Sequence, residues 1–144
     1  MKVCPICKSS IKKIFRVKVL KRYTASLNEC VCCKFAFFYK PNWLKEAYKN
    51  PINIEDTGII QRNIRNLKIV ISFLRIVFHK KAIILDFAGG YGILVRLLRD
   101  FGFLAYWQDK FTPNLFSRGF EFKGKKADLV TSFEVLEHVE DPLK

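Results

Sequence analysis

The first periodicity along the chain has a step of two. Ile14, Arg16, Lys18 and Leu20 alternate, a turn falls near Lys21-Arg22, and Tyr23 to Leu27 follow, which is a β-hairpin pattern. Phe35 to Tyr39 form a short apolar strand ended by Pro41-Asn42. Trp43 to Tyr48 suffice for one or two turns of helix before Asn50-Pro51 breaks it. The step then changes. Ile60, Ile64, Leu67, Ile71, Leu74 and Phe78 recur at intervals of four and three, predicting a helix of about 20 residues with one apolar stripe turned to a core. Asp56 or Thr57 is its expected N-cap, and His79-Lys80-Lys81 suit its C-terminal end.

From Ala82 the pattern changes again. Ala82-Ile-Ile-Leu-Asp86 is a short apolar run ending in an acid, as in a strand buried on both faces. Three glycines follow, Gly89, Gly90 and Gly92, and then an amphipathic helix marked by Ile93, Leu94, Leu97, Leu98 and Phe101 and closed by Gly102. Phe103 to Trp107 is a second apolar strand ending at Asp109, and Ala127 to Phe133 is another. Strand, glycine turn, helix and strand predict a parallel α/β sheet.

Composition narrows the class. The chain has 144 residues, half of them apolar, with 14 Phe, 5 Tyr and 2 Trp, enough for one domain and a small module. Arg75 interrupts the most apolar helical stretch, so no membrane span is expected. Cys4 and Pro5 stand where a leader would carry its apolar region, and the expected location is the cytoplasm. The net charge of +13 is uneven: residues 1–80 hold 17 Lys and Arg against 4 acids, and residues 81–144 hold 9 against 9. This excess reads as a Lys-rich solvated surface, or as attraction to a polyanion or a phosphorylated substrate.

All five cysteines lie in the first 33 residues. Cys4-Pro-Ile-Cys7 is a C-x2-C pair, and Cys30-Val-Cys32-Cys33 holds a second if Cys30 pairs with Cys33. Two such pairs, joined by a hairpin, bring four thiolates into a tetrahedron around Zn²⁺. The odd count and the lack of an export signal disfavour disulfides. Cys32 is the spare thiol. Four protein ligands leave no open position, so this metal would be structural and would supply much of the module's folding free energy.

The segment Asp86-Phe-Ala-Gly-Gly-Tyr-Gly92 lies between a strand and a helix. Its glycines permit a tight turn and close approach of a ligand to backbone. Asp109, 23 residues after Asp86, ends the next strand, where a carboxylate accepts hydrogen bonds from both ribose hydroxyls of an adenosine. No Gly-Lys-Ser/Thr follows, which excludes a P-loop. Val95 stands where a dinucleotide fingerprint has its third glycine, which disfavours a nicotinamide cofactor.

These motifs resemble class I S-adenosylmethionine-dependent methyltransferases. Ile83 to Gly92 look like the family's first motif, Asp109 like the acid after its second strand, and Asp128 to His138 like its fourth strand and the motif beyond. The cysteine module resembles the zinc-binding module that precedes the methyltransferase domain in some bacterial members, several of them associated with sugar and surface-polysaccharide chemistry. Ala88 departs from the family, standing at its usual first glycine. The resemblance implies an α/β fold with a zinc-ribbon-like β module over residues 1–40, a helical region over 41–80 packing on the sheet, and the first half of a Rossmann-like domain over 81–144. Its sheet would stop after the fourth strand, as a truncated and inactive form would, leaving a bare edge open to self-association.

By the same resemblance S-adenosyl-L-methionine would contact Asp86, Ala88, Gly89, Gly90, Gly92, Asp109, Phe133 and Glu134. Zn²⁺ would take Cys4, Cys7, Cys30 and Cys33. His138 is the candidate base for the acceptor, with a packing role beside Glu134 or Glu137 as the plainer explanation. The acceptor implied is a small molecule, a sugar or nucleotide-sugar. The alternative is a nucleic-acid methyltransferase or a nucleic-acid-binding module using the basic ribbon.

Overall fold

A computed structural model describes residues 3–39, 41–47, 57–78 and 81–136. The chain divides into two compact units, Met1–Pro51 with Leu136–Lys144, and Ile52–Val135.

In the first unit β1 (Ile11–Val19), β2 (Tyr23–Cys30) and β3 (Ala36–Phe38) form an antiparallel sheet in the order β1-β2-β3, followed by the short helix α1 (Leu44–Ala47). The hairpin is the one the alternation predicts, but its turn lies one residue earlier. Leu20 and Lys21 both have positive φ, 49° and 61°, and the Arg22 N–H reaches the Val19 carbonyl at 3.2 Å. The connection is three residues long, Leu20 to Arg22, and the left-handed pair at its first two positions gives a twist that matches paired strands. Neither residue is the Gly or Asn that such a turn favours, so its position was not readable from the sequence. A bulge between Lys13 and Phe15 shifts the register, and with it the faces. Phe15 and Val17 stand opposite Leu27 and Ala25 on an apolar face, whereas Lys13, Arg16 and Lys18 stand opposite Asn28, Ser26 and Thr24 on the other. Trp43 is buried, with its ring 5.5 Å from that of Phe38 and 6.3 Å from that of Tyr23.

The second unit holds α2 (Ile59–Val77), β4 (Ile83–Phe87), α3 (Ile93–Asp100), β5 (Leu104–Gln108) and β6 (Leu129–Thr131). The three strands are parallel in the order β5-β4-β6. Beyond β5 the chain near Phe120 to Phe122 makes a single parallel bridge, Trp107 to Glu121. The Trp107 N–H donates to the Phe120 carbonyl and the Phe122 N–H to the Trp107 carbonyl, both at 2.8 Å. The α/β sheet is therefore the expected one, with this extra strand reduced to one residue.

The core joins Leu67, Val70 and Leu74 of α2 to Ile84 of β4, Ala105 of β5, and Leu94, Val95 and Leu98 of α3. The stripe expected on α2 needs correction. Leu67 and Leu74 are buried, but so are Asn66 and Val70, while Ile60 and Ile64 are exposed. Ile69, Phe73 and Ile76 also face outward. Apolar side chains occur on most sides of this helix, so spacing alone could not select the packed one. Its N-cap is Gly58, without a side-chain hydrogen bond, in place of Thr57; Asp56 lies outside the described residues.

Helix α3 ends as its glycine predicts. Gly102 has φ +82°, its N–H bonds the Arg99 carbonyl, and the Phe103 N–H bonds the Leu98 carbonyl, which together make a Schellman motif. The register of the sheet places Ile84, Ala105 and Leu129 on the face that joins the core. On the opposite face Ile83, Leu104 and Val130 are exposed.

Candidate active site and metal centre

The four cysteines of the two C-x2-C pairs converge, all four sulfurs lying within 4.8 Å of one another. The sulfurs of Cys7 and Cys30 lie 3.3 Å apart and those of Cys4 and Cys33 3.7 Å apart. A tetrahedron with metal–sulfur bonds of about 2.3 Å has edges of about 3.8 Å, so the donor set fits Zn²⁺. The two pairs are built alike. Each is followed by a lysine at positive φ, Lys8 at 60° and Lys34 at 63°. The Lys8 N–H bonds the Cys4 carbonyl and the Lys34 N–H bonds the Cys30 carbonyl, while their ammonium groups reach back to the carbonyls of Pro5 and Val31. This shared turn makes Cys33 the partner of Cys30; Cys32 is exposed and outside the cluster.

The thiols are electrostatically unequal. Hydrogen bonds from Ser9, first from its side chain and then from its backbone, draw Cys7 down to about 5. The Phe35 backbone N–H also lowers Cys33, but burial and the thiols of Cys7, Cys30 and Cys4 outweigh it and push Cys33 up to about 12. Thiols that crowd one another's protons in this way are prepared to exchange them for a cation.

In the second unit the glycine turn lies at the carboxyl ends of the parallel strands, where α/β sheets bind ligands. Its glycines have different tasks. A Cβ on Gly89 would stand 2.6 Å from Asp86 Oδ2. A Cβ on Gly92 would stand 2.2 Å from Ser117 Oγ, and Gly92 has φ +84° as the N-cap of α3. These two are glycines because the protein itself fills the space. Gly90, at φ +55°, has nothing within 4 Å of its Cβ position. It alone presents bare backbone to open space.

Gly90 is held from both sides. Its N–H donates to Asp109 Oδ2 at 3.0 Å, and its carbonyl accepts from Trp107 Nε1 at 2.7 Å. Asp109 Oδ1 accepts from the backbone N–H groups of Phe111 and Thr112, at 2.7 and 2.8 Å. A carboxylate has about four acceptor directions. Three are occupied, which leaves one for a ligand hydroxyl where the sequence suggested two. The sequence marks Trp107 only as a strand residue. Its role follows from the parallel register that sets it beside Asp86, and no local signal revealed it.

Asp86 is buried beneath the turn and accepts from Thr131 Oγ1 at 2.7 Å. Burial pushes its carboxyl up to about 6; the Thr131 hydrogen bond opposes this, and the Asp109 charge adds to it. Ala88 has φ +55°, the left-handed region that favours glycine. Glu134, just beyond the adjacent strand β6, has φ +58° and is exposed, while Phe133 packs on the core. Strained backbone at the carboxyl ends of two neighbouring strands is a pattern common at ligand sites. Asp128 belongs to the other end of the sheet, where it accepts from the Ile83 N–H at 2.7 Å. On α2, Asn63 hydrogen-bonds the Ile59 carbonyl. His79, Glu137 and His138 lie outside the described residues.

Comparison with known proteins agrees with this arrangement. Residues 60–144 match the model of a family described as a methyltransferase domain. Neither the curated proteins nor the solved structures gave a match. The matched segment covers more than half of the chain and includes the glycine turn, Asp109 and all three parallel strands, so the chain belongs to the methyltransferase domain family.

Proposed function

We propose that the second unit binds S-adenosyl-L-methionine over Gly90 and transfers its methyl group to a small acceptor, a sugar or nucleotide-sugar. The observation that carries this reading is the open Gly90, clamped between Trp107 and Asp109. The cofactor, when bound, supplies a methyl group on a sulfonium whose leaving group is already good. The protein's share is therefore alignment and removal of the acceptor's proton.

Asp109 offers its remaining acceptor direction to a ribose hydroxyl. The Ala88–Gly92 turn lies against the cofactor, with Asp86 holding it from beneath and Phe133 and Glu134 at the end of the neighbouring strand. His138 is the proposed base. The sugar-like acceptor and the class I assignment rest on the motif resemblance. In the first unit Cys4, Cys7, Cys30 and Cys33 are proposed to hold a structural Zn²⁺. A cytoplasmic location suits these thiolates, which stay reduced there. The outer edge of β6, without a paired strand among the described residues, is the proposed point of self-association.

Titration calorimetry with S-adenosylhomocysteine tests the cofactor site. Gly90→Ala meets no atom of the protein but carries the same left-handed strain as Ala88, so circular dichroism and thermal melts check its fold before its methyl group is read as filling the ligand's place. We expect one site in the wild type, weakened at least tenfold in Gly90→Ala and in Asp109→Asn. A wild type without binding, or two variants that bind as it does, refutes the reading.

A further inference from the structure

The bulge in β1 separates two chemically opposite faces of the first unit's sheet. On one, Lys13, Arg16 and Lys18 form a cationic row along the edge strand, all three exposed. Beside them β2 contributes the hydroxyls of Thr24 and Ser26. One strand further, Phe37 continues the cross-strand row of Lys13 and Asn28, and its ring stacks on Phe35 at 5.6 Å and 18°. No carboxylate stands on this face among the described residues. Glu29 pairs with Lys12 on the opposite face, at 3.0 Å, and Glu46 pairs with Arg22. Over residues 1–50 there are twelve Lys and Arg against two acids.

We propose that the Lys13, Arg16 and Lys18 face of this sheet docks single-stranded nucleic acid. The register supplies what such a ligand requires. Cations on alternating positions of one strand follow a polyanionic backbone, neighbouring hydroxyls donate and accept hydrogen bonds, and an aromatic pair at the far strand provides a surface for bases. The one carboxylate of these three strands, Glu29, lies on the other face with Lys12, so Lys13, Arg16 and Lys18 have no acid beside them to neutralise their charge. Aromatic rings two strands from the cationic row, across the buried Asn28, favour a ligand with flat bases over an anionic glycan or a lipid headgroup. The inference stands apart from methyl transfer and does not rest on it.

The test is fluorescence anisotropy of a labelled oligothymidylate with the zinc-loaded full chain, from 50 to 200 mM salt. Three phosphate contacts contribute a salt slope of about −2, or about 20-fold in affinity over that range. The variant Lys13→Gln/Arg16→Gln/Lys18→Gln is expected to bind more weakly at 50 mM salt and to lose about 2 from the salt slope, with its metal content and circular dichroism unchanged. Lys123→Gln/Lys125→Gln/Lys126→Gln removes the same charge from the second unit and is expected to bind within twofold of the wild type. The inference is overturned if the wild type does not bind, or if both triple variants lose affinity alike. It is overturned too if heparin or anionic vesicles compete as well as unlabelled oligonucleotide at equal charge. Cofactor binding, measured separately, bears only on the second unit.

Discussion

Asp86 gives the sharpest test of the site, because the fold retains it at a cost to stability. Its carboxyl is buried and ionises at about 6 instead of its ordinary 3.8. Below pH 3.8 both folded and unfolded chains hold the proton. Between 3.8 and about 6 only the folded chain does, so stability falls as pH rises through that window and is level above it. The accumulated penalty at pH 7 is about 3 kcal/mol. Asp86→Asn keeps the Oδ1 acceptor for Thr131 and removes the ionisation. Unfolding by urea, followed through Trp107 fluorescence in a Trp43→Phe background, should show little difference between variant and parent at pH 4. By pH 7 the variant should be more stable by about 2–3 kcal/mol, on the order of 10 °C in Tm. Its affinity for S-adenosylhomocysteine should fall, since a group kept against stability is expected to serve the site. Stability curves that run parallel from pH 4 to pH 8, or a variant less stable at pH 7, would show that burial does not govern this carboxyl.

Three further outcomes follow from the geometry. Ala88→Gly relieves a left-handed alanine and, after the added flexibility of glycine in the unfolded chain, should stabilise the second unit by about 0.5–1 kcal/mol in thermal melts. Trp107→Phe keeps most of the buried ring but frees the Gly90 carbonyl, and should weaken cofactor binding about tenfold with only a small change in Tm. Cys33→Ser should abolish binding of one Zn²⁺ per chain and melt the first unit, as a chelator should, whereas Cys32→Ser should change neither; elemental analysis and circular dichroism report both.

Much of this protein was determined by its residues in order. The step of two gave the hairpin, the glycine after α3 gave a Schellman end, and Asp86 and Asp109 marked the carboxyl ends of two strands. These are local matters of side-chain periodicity, backbone freedom and turn chemistry, and a chain shows them without being folded. The tertiary structure decided the rest. It chose Val70 and Asn66 over Ile60 and Ile64, because burial depends on what packs opposite and not on spacing. It separated three similar glycines into two that the protein's own atoms crowd and one that stands open, a distinction of neighbours remote in sequence. It set Trp107 and Asp109 on the two sides of Gly90, and a single bulge turned Lys13, Arg16 and Lys18 to a common face. Contacts between distant segments carry no local periodicity, so only the folded chain displays them.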